Sequence, residues 1–200
     1  MSEMIIESKL IVFFDICSSS KILEDLTRSG NLRRMRNLIL YLRDFLKSES
    51  AVQGFEVYKF IGDGWVLLFP PGVSGHDLVS FLEKLCQLFK HKLNKHVAPH
   101  LRTTPSVMGL TFGIDQGKLA KFGMMGKLEY IGRPLNIASR LQESIKQKDD
   151  NPAYKILFSK PCFHALAFAE GYRKYKPVTR KLRNIRGGEK YPCMKMSLKH

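Results

Sequence analysis

The sequence lacks any pair of cysteines at a spacing that suits a structural zinc ion or a disulfide framework. Its four cysteines, Cys17, Cys86, Cys162 and Cys193, stand far apart. Reduced thiols in a cytoplasmic setting are the expectation. Acidic residues are scarce: 18 Asp and Glu oppose 33 Lys and Arg, for a net charge of +15. That balance points to an anionic partner, whether nucleic acid, a membrane surface or a small polyphosphate, and charge alone does not choose among them. No apolar run approaches the length of a membrane span. The first residues, Met1-Ser2-Glu3-Met4-Ile5-Ile6-Glu7, carry acids where a secretory signal carries bases. A soluble protein is expected. Internal repeats and low-complexity segments are absent too, so 200 residues read as one domain, 1–200, with its core over residues 10–198.

What is present is organised around Tyr58 to Phe69. Two apolar runs, Val57 to Ile61 and Val66 to Phe69, flank Gly62-Asp63-Gly64, which reads as a hairpin with one carboxylate at its tip. Leu10-Ile11-Val12-Phe13-Phe14 has the pattern of a central strand buried on both faces, and it delivers Asp15 to its end. Apolar residues at helical spacing predict a helix over 20–47, broken near Ser29-Gly30-Asn31, and a second over Asp77 to Lys95. Val107 to Ile114 and Leu119 to Phe122 read as a strand pair about Asp115-Gln116-Gly117. A third helix starts near Pro134, whose proline suits a first helical position. Tyr154 to Phe158 reads as a short strand, Ser159 onward as a short helix, and Tyr191 to Leu198 as an edge strand. The order predicts an α+β fold: a ferredoxin-like βαββαβ sandwich with helices on one face of an antiparallel sheet, plus C-terminal additions.

In that topology the first strand lies beside the hairpin, so Asp15 and Asp63 meet. Two carboxylates with no histidine nearby make a hard oxygen site suited to Mg²⁺ or Mn²⁺. A helix cap at Asp15 and a turn former at Asp63 are the structural alternative. Ser18, Ser19 and Ser20 at a helix start offer main-chain N–H groups to phosphate oxygens. On the third helix, Leu135, Ala138, Leu141 and Ile145 form the apolar face, and Asn136 and Arg140 share another stripe at i and i+4. A guanidinium there suits a transferring phosphoryl group, and a solvated polar face gives the same pattern.

Together, Phe14-Asp15-Ile16 with its serines, Lys59-Phe60-Ile61-Gly62-Asp63-Gly64, Gly113-Ile114 through Gly117, and Tyr130-Ile131-Gly132-Arg133-Pro134-Leu135-Asn136-Ile137-Ala138-Ser139-Arg140-Leu141 resemble, in order and spacing, the catalytic domain of class III nucleotide cyclases. The resemblance covers residues 10–198. It implies a homodimer with catalytic sites at the subunit interface. Asp15, Asp63 and the carbonyl of Ile16 would hold two divalent cations, Mn²⁺ or Mg²⁺, and Asn136 and Arg140 would reach across from the other subunit. Arg186 falls where the family often has a lysine that binds the triphosphate. The implied reaction turns a nucleoside triphosphate into a 3′,5′-cyclic nucleotide and pyrophosphate.

Lys59 and Glu129 fall on the family's base-reading positions, with Tyr58 beside them in sequence. Lys59 fits the adenine pattern and disfavours guanine, whereas Glu129 fits neither standard set. A Glu longer than Asp, with Tyr58 and Arg133 near, suits a smaller base. The chain also carries no sensor, linker or membrane module, and so looks like the stand-alone pyrimidine cyclases of bacterial Pycsar anti-phage systems, which make cyclic UMP or cyclic CMP for a separate effector. An adenylate cyclase is the alternative, and a non-catalytic nucleotide- or nucleic-acid-binding module a remote one. From Gly171 to His200 there are ten Lys or Arg against one acid, Glu189. Without a reader motif, this stretch reads as a solvated surface that steers a triphosphate inward; neither nucleic acid nor membrane is expected as a partner.

Overall fold

The computed structural model describes residues 4–169 and 174–200. In chain order the elements are β1 (Ile5–Ile16), α1 (Ser19–Arg28), α2 (Arg33–Gln53), β2 (Glu56–Ile61), β3 (Gly64–Phe69), α3 (Gly75–His96), β4 (Leu110–Met124), β5 (Lys127–Ile131), α4 (Arg133–Lys148), β6 (Lys155–Ser159), α5 (Lys160–Ala165), β7 (Tyr175–Arg180) and β8 (Tyr191–Ser197). The strands form one sheet in the order β2-β3-β1-β4-β6-β8-β7, with β5 paired to the far part of β4. β1 is its centre. It pairs antiparallel with β4 from Ile5 to Ile16 and with β3 from Leu10 to Asp15.

Alternation along the strands sorts side chains between two faces. Leu10, Val12 and Phe14 of β1 and Trp65, Leu67 and Phe69 of β3 meet Ile22, Leu38, Leu42, Phe81, Leu82 and Phe89 of α1 to α3 in the larger core. Phe14 and Trp65 stack there at 5.3 Å between ring centroids, and Phe60 leans on Trp65 at 4.8 Å. Ile11, Val66 and Leu68 face the other way, where Leu119, Tyr130 and Ala138 cover them. The βαββαβ core therefore places its helices on one face as expected, but α4 packs on the opposite face. The parallel pairing of β4 with β6 explains it, because parallel neighbours need a crossover and α4 is that crossover. Gly113 lets the helix down onto the sheet: a Cβ there would lie 2.0 Å from the Ala138 carbonyl oxygen.

Three local expectations are corrected. Asp115-Gln116-Gly117 is not a turn; β4 runs straight through it, because these residues pair with Ile11, Leu10 and Lys9 of the long central strand. The turn lies instead at Met125-Gly126, both at positive φ, and returns the chain as β5. Tyr191 to Ser197 is an interior strand, flanked by β6 and by β7, which covers the expected edge. The first long helical stretch continues to Gln53, since no residue before Gly54 stops it. Of the basic C-terminal stretch, Gly171, Tyr172 and Arg173 lie outside the described residues.

Replacing Gly113 by alanine forces α4 off the sheet. Gly113→Ala is expected to lower unfolding stability by about 1–3 kcal/mol, the usual cost of an overpacked contact, read as a lower urea midpoint at unchanged slope.

Candidate active site

The hairpin of β2 and β3 turns at Gly62 and Asp63, with Gly62 at φ +77° and the Asp63 N–H donating to the Ile61 carbonyl at 3.0 Å. Gly64, the next residue, is the register partner of Asp15. This pairing brings the two carboxylates together, as the sequence predicts. Burial, then hydrogen bonding and the charge of Asp15, push the Asp63 carboxyl up to about 6, while Ser19 and Lys146 oppose the shift. Asp15 accepts the Ile16 N–H on Oδ1 at 2.9 Å, which leaves Oδ2 for another partner.

Lys146, in the last turn of α4, reaches into this place. Its ammonium donates to Asp15 Oδ2 and, at 3.1 Å, to the Ile16 carbonyl oxygen. A single cationic group thus bridges a carboxylate and the main-chain oxygen beside it. Such a donor set, two carboxylates and a carbonyl, consists of hard oxygens and fits a divalent ion that also binds phosphate. Among the described residues no group of three or more His, Cys, Asp or Glu is placed to hold a metal. Any ion here would therefore complete its shell from water or substrate oxygens. Burial pushes the neighbouring Cys17 thiol up to about 11. Lys146 was not singled out in the sequence, where a lysine near a helix C-terminus reads as a complement to the helix dipole.

One buried and two part-buried hydrogen bonds fix α4 over the site. Gln142 donates to the Thr111 hydroxyl at 2.7 Å, and Thr111 is the β4 partner of Asp15. After the helix, Asp149 accepts from Arg180 at 2.7 Å and Lys195 at 3.0 Å, tying its end to β7 and β8.

The three serines do not act alike. Ser18 sits at φ +58° and donates to the Val107 carbonyl at 2.7 Å, so it does not cap α1. Ser19 is buried beside Asp63, whereas Ser20 is exposed. The uncapped N-terminus of α1 therefore borders the two carboxylates, an arrangement that favours anionic oxygens.

Tyr58, Lys59 and Glu129 also meet. Lys59 donates to Glu129 Oε2 at 2.8 Å, and the Tyr58 hydroxyl donates to the same oxygen. The hydrogen bonds from Lys59 and Tyr58 hold the Glu129 carboxyl below its ordinary range. Tyr58 and Tyr130 meet edge to face at 5.0 Å. Arg133, expected near this group, instead donates to the Arg186 carbonyl at 3.0 Å.

The remaining site residues stand apart within one chain. Asn136 is exposed and Arg140 pairs with Glu143 at 2.8 Å. Six residues separate Arg140 from Lys146, which sets their directions about 120° apart around the helix. The register Asp15–Thr111–Lys155–Ser197 marks one end of the sheet, and Arg186 follows β7 at the other, beyond the Ser159–Cys193 pair. Asn136, Arg140 and Arg186 are therefore not assembled around the Asp15 and Asp63 of their own chain.

No protein-family model matches the sequence, and no curated protein matches it. Solved structures do resemble the fold. The adenylyl cyclase CyaB from P. aeruginosa superposes with a TM-score of 0.71 at 17% identity, over 99% of this chain and 97% of that one. A bacterial light-regulated adenylyl cyclase gives 0.70 at 18% identity, over 99% of this chain and 54% of that one. The guanylyl cyclase Cya2 gives 0.69 at 16%, over 98% and 93%. With an eight-stranded sheet among its described residues, helices on both faces and paired carboxylates at the end of its central strand, the chain has the fold of class III nucleotide cyclase catalytic domains.

Proposed function

We propose that the chain is a nucleotide cyclase that acts as a homodimer. The observation that carries the reading is the meeting of Asp15, Asp63 and the Ile16 carbonyl around one cationic group at the end of the central strand. Asp15, Asp63 and Ile16 would hold two divalent cations, Mn²⁺ or Mg²⁺, which when bound neutralise the triphosphate and favour ionisation of the attacking hydroxyl. The ribose 3′ oxygen attacks the α-phosphorus, the bond from that phosphorus to the β-phosphate bridging oxygen breaks, and pyrophosphate leaves. The N-terminus of α1 at Ser18 to Ser20 cradles phosphate oxygens. Arg140 of a second copy places positive charge on the equatorial oxygens of the transition state, its Asn136 orients the ribose, and its Arg186 binds the triphosphate.

The placement of Asn136, Arg140 and Arg186 away from Asp15 of their own chain supports a site completed by a second copy. So do Phe60, Ile61, Met124, Met125, Leu128 and Ile131, apolar residues exposed on the β2–β3 hairpin and the β4–β5 arm.

Base choice rests on Lys59 and Glu129. A donor beside an acceptor complements uracil through O4 and N3–H, cytosine through N3 and the exocyclic amine, and adenine through N1 and its amine. The Tyr58 hydroxyl donates to Glu129, and the Tyr58 ring, set edge to face against Tyr130, adds bulk beside this pair, which supports a pyrimidine substrate, UTP or CTP, over a purine. By the sequence resemblance, cyclic UMP or cyclic CMP would then serve as an anti-phage signal to a separate effector. The alternative is an adenylate cyclase, favoured by the Lys59 ammonium.

With Mn²⁺ and each of UTP, CTP, ATP and GTP in separate incubations, cyclic UMP or cyclic CMP with equimolar pyrophosphate is the expected product by mass spectrometry. Cyclic AMP alone selects the alternative, and no cyclic product from any of the four rejects an enzyme. Asp63→Ala is expected to reduce turnover by at least about a hundredfold with an unchanged circular dichroism spectrum, since a ligand matters more than its supporting shell. Asp63→Ala and Arg140→Ala are each inactive alone. Mixed in equal amounts they recover about a quarter of wild-type activity per chain, because half of the dimers are mixed and each has one intact site of two.

A further inference from the structure

Lys146 occupies a position that the cyclase reading does not use. Its ammonium bonds Asp15 Oδ2 and the Ile16 carbonyl, two of the three groups that the reading assigns to metal. The contact is built. Gln142 and Thr111 fix the helix one turn earlier, the Asp149 clamp to Arg180 and Lys195 fixes it just beyond, and Gly113 allows its close approach. Lys146 nonetheless keeps a route to solvent, with 31% of its side chain exposed against 21% for Asp15. The lysine stem is long and flexible, and its compact ammonium hydrates well once released.

We propose that Lys146 is a tethered counter-ion that holds the Asp15 and Ile16 oxygens in ligating position, and that a divalent cation enters only by displacing it. The ammonium and an arriving divalent ion compete for the same acceptors, because the Lys146 hydrogen bonds already occupy Asp15 Oδ2 and the Ile16 carbonyl oxygen. In the metal-free state the ammonium offsets the repulsion between Asp15 and Asp63. When an ion arrives, the side chain swings to solvent and its two hydrogen bonds are lost. Lys146 thereby sets the metal concentration at which the site fills.

This proposal rests on the metal-site reading above, and its test separates the two. Mn²⁺ binding to the full chain is followed by the fall of the free-ion electron paramagnetic resonance signal. Lys146→Met, which keeps the stem and removes the charge, is expected to bind Mn²⁺ about tenfold or more tighter than wild type, the scale of one lost charge-assisted hydrogen bond. Lys146→Gln, which retains an N–H donor without charge, shows the same tightening and serves if the methionine variant does not fold. Lys146→Arg stays near wild type, and Asp63→Asn removes the binding. Equal or weaker Mn²⁺ affinity in both neutral variants, with binding still abolished by Asp63→Asn, overturns the role of Lys146 and leaves the metal site standing. Absence of any Asp63-dependent binding in wild type and variants alike overturns both.

Discussion

Everything at the candidate site follows from the pairing of β1 with neighbours on both sides. A strand buried between β3 and β4 has no freedom of register, because a slip of one residue would turn Leu10, Val12 and Phe14 out of the larger core. The same constraint fixes Asp15 on the opposite face, one step beyond Phe14. It also fixes Asp63, since Gly64 is the partner of Asp15 and the hairpin turn comes immediately before it. Packing of apolar side chains thus places two carboxylates together, and burial first, then the neighbouring Asp15, raises the Asp63 carboxyl. Lys146 places a positive charge beside the pair.

Much of this was legible in the residues. The continuous apolar run before Asp15 and the Gly62-Asp63-Gly64 turn carry strong local signals, and the structure brings their carboxylates together as read. Tyr58, Lys59 and Glu129 also meet, although 70 residues separate Lys59 from Glu129. What the sequence hid were matters of long-range pairing. Asp115-Gln116-Gly117 has turn chemistry, and twelve paired residues of β1 override it. β7 escaped notice because Tyr175 to Arg180 is basic and interrupted by Pro177, as an edge strand tolerates. Lys146 escaped notice because a lysine near the end of an amphipathic helix looks solvated until the sheet beneath it is known.

α4 presents its polar side chains in more than one direction. Its last turn serves the Asp15 of its own sheet through Lys146, while Asn136 and Arg140 look elsewhere. The crossover that parallel β4–β6 pairing demands therefore also sets how the helix faces its surroundings.

The chain has one tryptophan, and it stands next to the turn. Trp65 follows Gly64, is 2% exposed, and is held between Phe14, which precedes Asp15, and Phe60 of the other hairpin strand. Its indole is therefore a natural optical probe of the carboxylate pair. A rearrangement of the hairpin tip that shifts Phe60 or Phe14 alters the surroundings of this ring, so ultraviolet emission can follow it in real time without a dye or a label.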